Sequence, residues 1–277
     1  MDINPEIAAR GLSPAEARLV SKLEFEDSSI LDIDTIERLT GSDRNGARLL
    51  ASRLAKRGWL VRIRKGVYQF VPAKMAGYPR RDWFIILQGF TAPYYLSFLS
   101  AAYHYSLSPQ RPAFAQIATP RLIRGSYATK NHGIEQVVVG EGRFFGIREE
   151  ASDGLIIKIA DPERTVVDCL GFPKRSGGLF EVARIIQRAS RQHDLDLLVT
   201  YALQFGNKSL LQRLGYLLEL VGGETVAGAL DKLAESIGRR RAYLGSVSEF
   251  GRHGDYVSRW GLIDNIGQER LLAELEY

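Results

Sequence analysis

The chain has 277 residues, 45% apolar and 25% charged, which suggests two globular domains and excludes a fibrous or low-complexity protein. Its 37 Lys and Arg against 32 Asp and Glu leave a net charge of +5, a mild lean towards an anionic partner. Cys169 is the only cysteine, so no intrachain disulfide can form. No apolar run approaches the ~18 residues of a membrane span, and the start MDINPEIAARG lacks a secretory pattern, so a cytoplasmic location is expected. Residues 1–12 read as a lead-in. Ser13-Pro14-Ala15-Glu16 then marks a helix start: Ser13 and Glu16 form a capping box and Pro14 fits the first helical position. Leu19, Val20 and Leu23 face inward. Ile30–Ile33 reads as a short strand or turn, and Asp34 as the cap of a short second helix with Ile36 and Leu39 inward. In Thr40-Gly41-Ser42, Gly41 frees the backbone and Ser42 is expected to cap the next helix.

That third helix carries the main signal. On a 3.6-residue wheel Ala47, Leu50, Ala51 and Leu54 fall on one side, and Arg44, Asn45, Arg48, Ser52 and Lys56 on the other. From Arg44 to Phe70 there are eight Lys or Arg and no Asp or Glu. A merely solvated helix face mixes both signs, because i,i+4 ion pairs support it. Gly58 is placed just past the helix end. Trp59–Arg64 and Val67–Val71 then form two strands around Lys65-Gly66, and Pro72 stops the second. Three helices in helix-turn-helix order followed by a cationic hairpin predict a winged helix with its tip at Arg64-Lys65-Gly66. In a DNA complex Arg44 and Arg48 would pair with guanine, Asn45 with adenine, and Lys56, Arg62, Arg64 and Lys65 would hold phosphates, with Ser52 on the same face. The competing reading is a solvated face on a winged helix that binds protein.

Residues 73–81 read as a linker and 82–277 as a larger mixed α/β domain, giving an α+β protein with its winged helix in 1–72. The expected elements are helices over Asp82–Gln88 and Tyr94–Tyr105, then strands near Ala115–Thr119, Glu135–Gly140, Phe144–Arg148 and Leu155–Ala160. Asp161-Pro162 opens a helix as N-cap and first residue. Helices follow over Leu179–Arg188, Leu195–Phe205, Ser209–Val221 and Thr225–Ile237. Gly140-Glu141-Gly142 reads as a hairpin turn and Asp153-Gly154 as another. The tail holds the basic run Arg239-Arg240-Arg241, read as solvated, a strand over Tyr256–Ile263 and a short helix.

The residues point to no catalysis. His104, His132, His193 and His253 lack the spacing of a metal site. Cys169 lies among apolar residues, as a buried inert thiol does. No nucleophile elbow or phosphate loop is present. Asp161, Glu163 and Asp168 raise the possibility of a nuclease, but capping explains Asp161, the helix dipole explains Glu163, and Asp168 can pair with Arg164 at i,i+4. No cofactor or metal is expected.

Taken together, RGWLVRIRKGVYQF, SAAYHYSL, DPERTVVDCL and RLGYLLEL resemble, in this order, the AbiEi family, the antitoxins and transcriptional regulators of type IV abortive-infection (AbiE) toxin–antitoxin systems. The resemblance runs from about Leu12 to the C-terminus. It implies that the winged helix binds operator repeats in double-stranded DNA and represses its own operon. Arg44, Asn45, Arg48, Arg62, Arg64 and Lys65 would be the operator contacts. It also implies that the C-terminal domain opposes a nucleotidyltransferase-like toxin without forming a stable complex with it, and no catalytic residue carries over. Two rivals remain at this point: a DNA-processing enzyme, which would show clustered carboxylates, and a regulator with a ligand pocket in its second domain.

Overall fold

In the computed structural model, residues 11–26, 30–73, 83–88, 90, 92–123, 133–152, 155–223, 226–237 and 240–275 are described. The expected linker beyond Ala73, the Asp153-Gly154 turn, His132 and Arg239 lie outside them. The first helix, α1 (Pro14–Phe25), opens on the expected capping box: the Ser13 hydroxyl accepts from the Glu16 amide, and the Glu16 carboxylate accepts from the Ser13 amide at 2.8 Å. Glu16 is 1% exposed and also accepts from Arg57 Nη1 at 2.6 Å, which ties the first helix to the residue that ends the third. Burial opposes ionisation of this carboxyl. The Ser13 donors and the Arg57 charge outweigh it and hold the group below its ordinary value.

Strand β1 (Ile30–Asp32) runs directly into α2 (Ile33–Thr40). The cap of α2 is therefore Asp32, whose side chain accepts from the Thr35 amide at 2.8 Å, and not Asp34, which sits inside the first turn. A second correction concerns α3 (Arg44–Lys56). Asp43 caps it by accepting from the Gly46 amide at 2.9 Å, while the Ser42 hydroxyl is engaged by that of Thr40 at 2.7 Å. Gly41 and Gly58 have φ of 67° and 73°, the left-handed backbone that both positions require. Strands β2 (Leu60–Arg64) and β3 (Val67–Phe70) form the expected hairpin, but β1 joins it. The sheet is three-stranded and antiparallel in the order β1-β3-β2, with an irregularity between Arg62 and Arg64. Leu19, Leu23, Ile36, Ala47, Ala51, Leu54, Trp59 and Phe70 share the core of this winged helix. A short helix, α4 (Trp83–Gln88), follows.

By its internal contacts the chain divides into two compact units. The first takes Met1–Ala92 with Arg124–Ile134 and Ala151–Ile157, and the second takes the remainder. The expected helix over Tyr94–Tyr105 is instead a strand, β4 (Tyr95–Leu96), followed by α5 (Phe98–His104). Strand β4 lies at the centre of a five-stranded sheet. It is antiparallel to β5 (Ala115–Thr119) and parallel to β8 (Leu155–Ala160). A strand buried on both faces has no polar–apolar alternation, so its sequence looks like that of a buried helix. Strand β6 (Ile134–Val138) is close to expectation. Glu141–Arg143 is a 3₁₀ turn and not a hairpin turn, which delays β7 (Ile147–Ser152) past the expected Phe144.

Five helices follow: α6 (Pro162–Gly171), α7 (Leu179–Gln192), α8 (Leu195–Phe205), α9 (Lys208–Val221) and α10 (Ala227–Ser236). They bury one core around Val166, Leu170, Ile185, Ile186, Leu214 and Leu217. After β9 (Ala242–Tyr243) and α11 (Val247–Phe250), the expected strand over Tyr256–Ile263 is two: β10 (Asp255–Val257) and β11 (Leu262–Asp264), antiparallel across a 3₁₀ turn at Ser258–Trp260. That turn sends the fully buried Trp260 onto α9, where a Cβ on Gly215 would stand 2.0 Å from the indole. The indole N–H donates to Glu219 at 2.6 Å, and α12 (Gln268–Ala273) completes the described chain.

Replacing Glu16 by Gln should destabilise the winged helix by about 1–2 kcal/mol at neutral pH, through loss of the charged cap and its Arg57 pair. A carboxyl held below its ordinary 4.5 stabilises the fold above that pH, and the effect is lost as the pH falls through the lowered value. Urea unfolding of wild type and Glu16→Gln should therefore converge as the pH is taken down through that lowered value. A gap that persists in acid would contradict this assignment.

Candidate nucleic-acid interface

Helix α3 is seated by three residues with no exposure at all, Ala47, Ala51 and Leu54. With 3.6 residues per turn, this fixes what points away from the core. Arg44, Asn45, Arg48, Ser52 and Lys56 are all exposed, as the wheel predicts, and Arg53 joins them on the far flank. Arg44 is not isolated. Its Nη1 donates to Asp34 and, at 3.2 Å, to Glu37, both on α2. The hydrogen bond and charge of Asp34 raise the guanidinium further above its ordinary value. Arg44 would thus have to exchange carboxylates for a base or phosphate in any nucleic-acid complex.

In the wing, Arg62 and Lys65 are exposed, and Gly66 turns the hairpin with φ of 79°. Arg64 ends β2, and its side chain lies outside the described residues. Arg57, one of the eight basic residues of the segment but not among the expected contacts, serves the Glu16 carboxylate and the Gly11 carbonyl, the latter at 2.7 Å. Helix and wing belong to the same unit, so the exposed cations Arg48, Arg53, Lys56, Arg62 and Lys65 share one small module. Two features escaped the sequence reading. One is the acidic pair Asp34 and Glu37, which only the packing of α2 on α3 brings to Arg44. The other is Leu49, which is 53% exposed within the cationic face.

Residues 4–71 match the family model described as "Transcriptional regulator, AbiEi antitoxin", and residues 95–220 match "AbiEi antitoxin C-terminal domain". The chain belongs to the AbiEi antitoxin family. The families matched are regulators and not enzymes. No match was found among curated proteins. Among solved structures, the crystal structure of the RV2827C protein from Mycobacterium tuberculosis has the same fold. It is 21% identical, covers 97% of each chain and has a TM-score of 0.69.

Within this AbiEi chain, the DPERTVVDCL stretch proves to be an anchor for α6. Asp161 caps the helix by accepting from the Arg164 amide at 2.7 Å, and its second oxygen accepts from the Tyr201 hydroxyl at 2.9 Å. Burial raises the Asp161 carboxyl above its ordinary value. Glu163 accepts from the Asp194 amide at 3.0 Å. Arg164 and Asp168, both with no exposure, pair at 2.8 Å as the i,i+4 spacing predicts. The same Arg164 nitrogen donates to the Tyr95 hydroxyl at 2.8 Å, and Ser97 donates to Asp168 at 2.7 Å, which fastens α6 to the central strand. Arg164 Nε and Nη1 make no hydrogen bond among the described residues; the rings of Phe145 and Phe205, at 4.2 and 5.4 Å, lie over the guanidinium. Burial pushes the Cys169 thiol up to about 12. Among the described residues no group of three or more His, Cys, Asp or Glu could hold a metal ion, and no helix is long and apolar enough to cross a membrane.

Arg164→Met leaves a buried carboxylate without its cation and should cost about 3–5 kcal/mol. Adding Asp168→Leu should recover most of that loss, because an apolar pair of similar size is tolerated where a lone charge is not. Denaturant unfolding of both single variants and the double variant checks this. Losses that simply add would show that the two side chains are not coupled.

Proposed function

We propose that this AbiEi protein binds its operator through the winged helix, represses its own operon and acts as the antitoxin against a nucleotidyltransferase-like toxin. Supporting this is one observation above the rest: a cationic helix face with no acid in its own segment, exposed over its length and continued by a cationic wing, in a family described as transcriptional regulators. Helix α3 enters the major groove. Arg44 and Arg48 meet guanines, Asn45 meets an adenine and Ser52 adds a hydroxyl to the same groove. Lys56, Arg62, Arg64 and Lys65 hold phosphates and set the register. Residues 1–72 thus form the DNA-binding domain and residues 82–277 carry the antitoxin activity. The toxin is opposed in the cytoplasm without a stable complex.

The experiment is a titration of the full chain with its own promoter duplex, single-base variants of it and unrelated duplexes. Arg48→Ala should lose about 1–3 kcal/mol on the promoter and relax discrimination at one base pair. Lys65→Ala should weaken every duplex alike and flatten the salt dependence. Equal losses on all duplexes for both variants would overturn the division of roles.

A further inference from the structure

Leu49 is the one apolar side chain among the exposed positions of α3, where it stands 53% exposed beside Asn45, Arg48, Ser52 and Arg53. An exposed leucine alone carries no meaning. Its place does. On the helical wheel Asn45, Leu49, Ser52 and Lys56 lie opposite the buried Ala47 and Leu54, whereas Arg44 and Arg48 lie towards one flank. The side chains aimed straight out of the helix are therefore an amide, a leucine, a hydroxyl and an ammonium group. The core does not use Leu49, since Ala47, Ala51 and Leu54 already fill the buried stripe. A second copy of this chain is a poor occupant, because a face-to-face contact would set Arg48 and Arg53 against their own charges.

We propose that Leu49 is a specificity residue that reads the C5-methyl of a thymine. The thymine methyl is the apolar group that the floor of the major groove presents to a protein, and apolar side chains select it. Leu49 follows Asn45 by one helical turn, about 6 Å along the helix axis, close to two base-pair steps of about 3.4 Å. The methyl then lies within two base pairs of the adenine that Asn45 contacts, so the two residues together select an A·T-containing core. This rests on the DNA-binding reading and adds a position that the cationic residues do not explain.

The test replaces thymines in the promoter duplex one at a time by deoxyuridine, which removes the methyl and keeps Watson–Crick pairing. Wild-type full-length protein should lose about fourfold in affinity at one position, the worth of one buried methyl-sized group. Leu49→Ala should lose at least as much on the thymine duplex and nothing further on the matching deoxyuridine duplex, with binding to unrelated duplexes unchanged. Three outcomes would overturn the proposal: wild type indifferent to every deoxyuridine, losses of variant and deoxyuridine that add, or a Leu49→Ala effect confined to the oligomeric mass in light scattering. Wild type that binds no duplex at all would instead remove the DNA-binding reading itself, and this inference with it.

Discussion

The burial of Ala47, Ala51 and Leu54 is the constraint from which the N-terminal unit takes its form. Two of these three side chains are single methyl groups, so α3 can approach α2 and the sheet closely with little freedom to roll. A helix that cannot roll has a fixed outer face. Arg48, Ser52 and Lys56 are exposed because the opposite side is packed, and they need no interaction of their own to hold that orientation. Asp43 and Gly58 fix where the helix starts and stops, which sets how many of its turns are offered to a partner.

Charge is sorted by the same packing. Arg57 and Arg164 have the same chemistry as Arg48 and serve architecture instead. Arg57 closes a carboxylate that already belongs to a helix cap, and Arg164 lies under aromatic rings with its carboxylate partner one turn away. Isolated buried ions are costly, so the buried Glu16 and the buried Arg164 are each paired and hydrogen-bonded. The basic composition thus overstates the cationic surface, and what remains exposed on α3 and the wing has no acid in the same segment. Arg44 stands between the two classes, exposed but held by Asp34 and Glu37.

How much of this was legible in the sequence varies element by element. The capping box at Ser13, the glycine end at Gly58, the Asp161-Pro162 helix start and the span Leu195–Phe205 all come from local rules, and all stand where those rules place them. The Arg164–Asp168 pair follows from i,i+4 spacing alone. The α3 cap failed locally, since Thr40 engages the Ser42 hydroxyl; in three other failures a distant segment decides. Strand β1 exists because β3 pairs with it, and that moves the α2 cap from Asp34 back to Asp32. Tyr95 and Leu96 are a strand because β5 and β8 flank them, not because of any alternation in their neighbourhood. Asp255–Asp264 divides at Trp260 because Gly215, forty-five positions earlier, leaves room for the indole. At the candidate site the outward cations were readable from periodicity. The acidic partners of Arg44 were not, since they sit on another helix. Leu49, an apolar residue out of phase with the buried stripe, escaped the sequence reading, because the wheel assigns Ala47, Leu50, Ala51 and Leu54 inward and the outward set is read for its polar groups.

The central claim is that α3 and the wing engage the phosphates of one duplex together, and the salt dependence of binding tests it most directly. The affinity of the full chain for its promoter duplex should fall linearly with salt on logarithmic axes. With Lys56, Arg62, Arg64 and Lys65 each neutralising one phosphate, the slope should be about −3.6 per bound copy. A slope near zero, or no binding at low salt, would contradict the account.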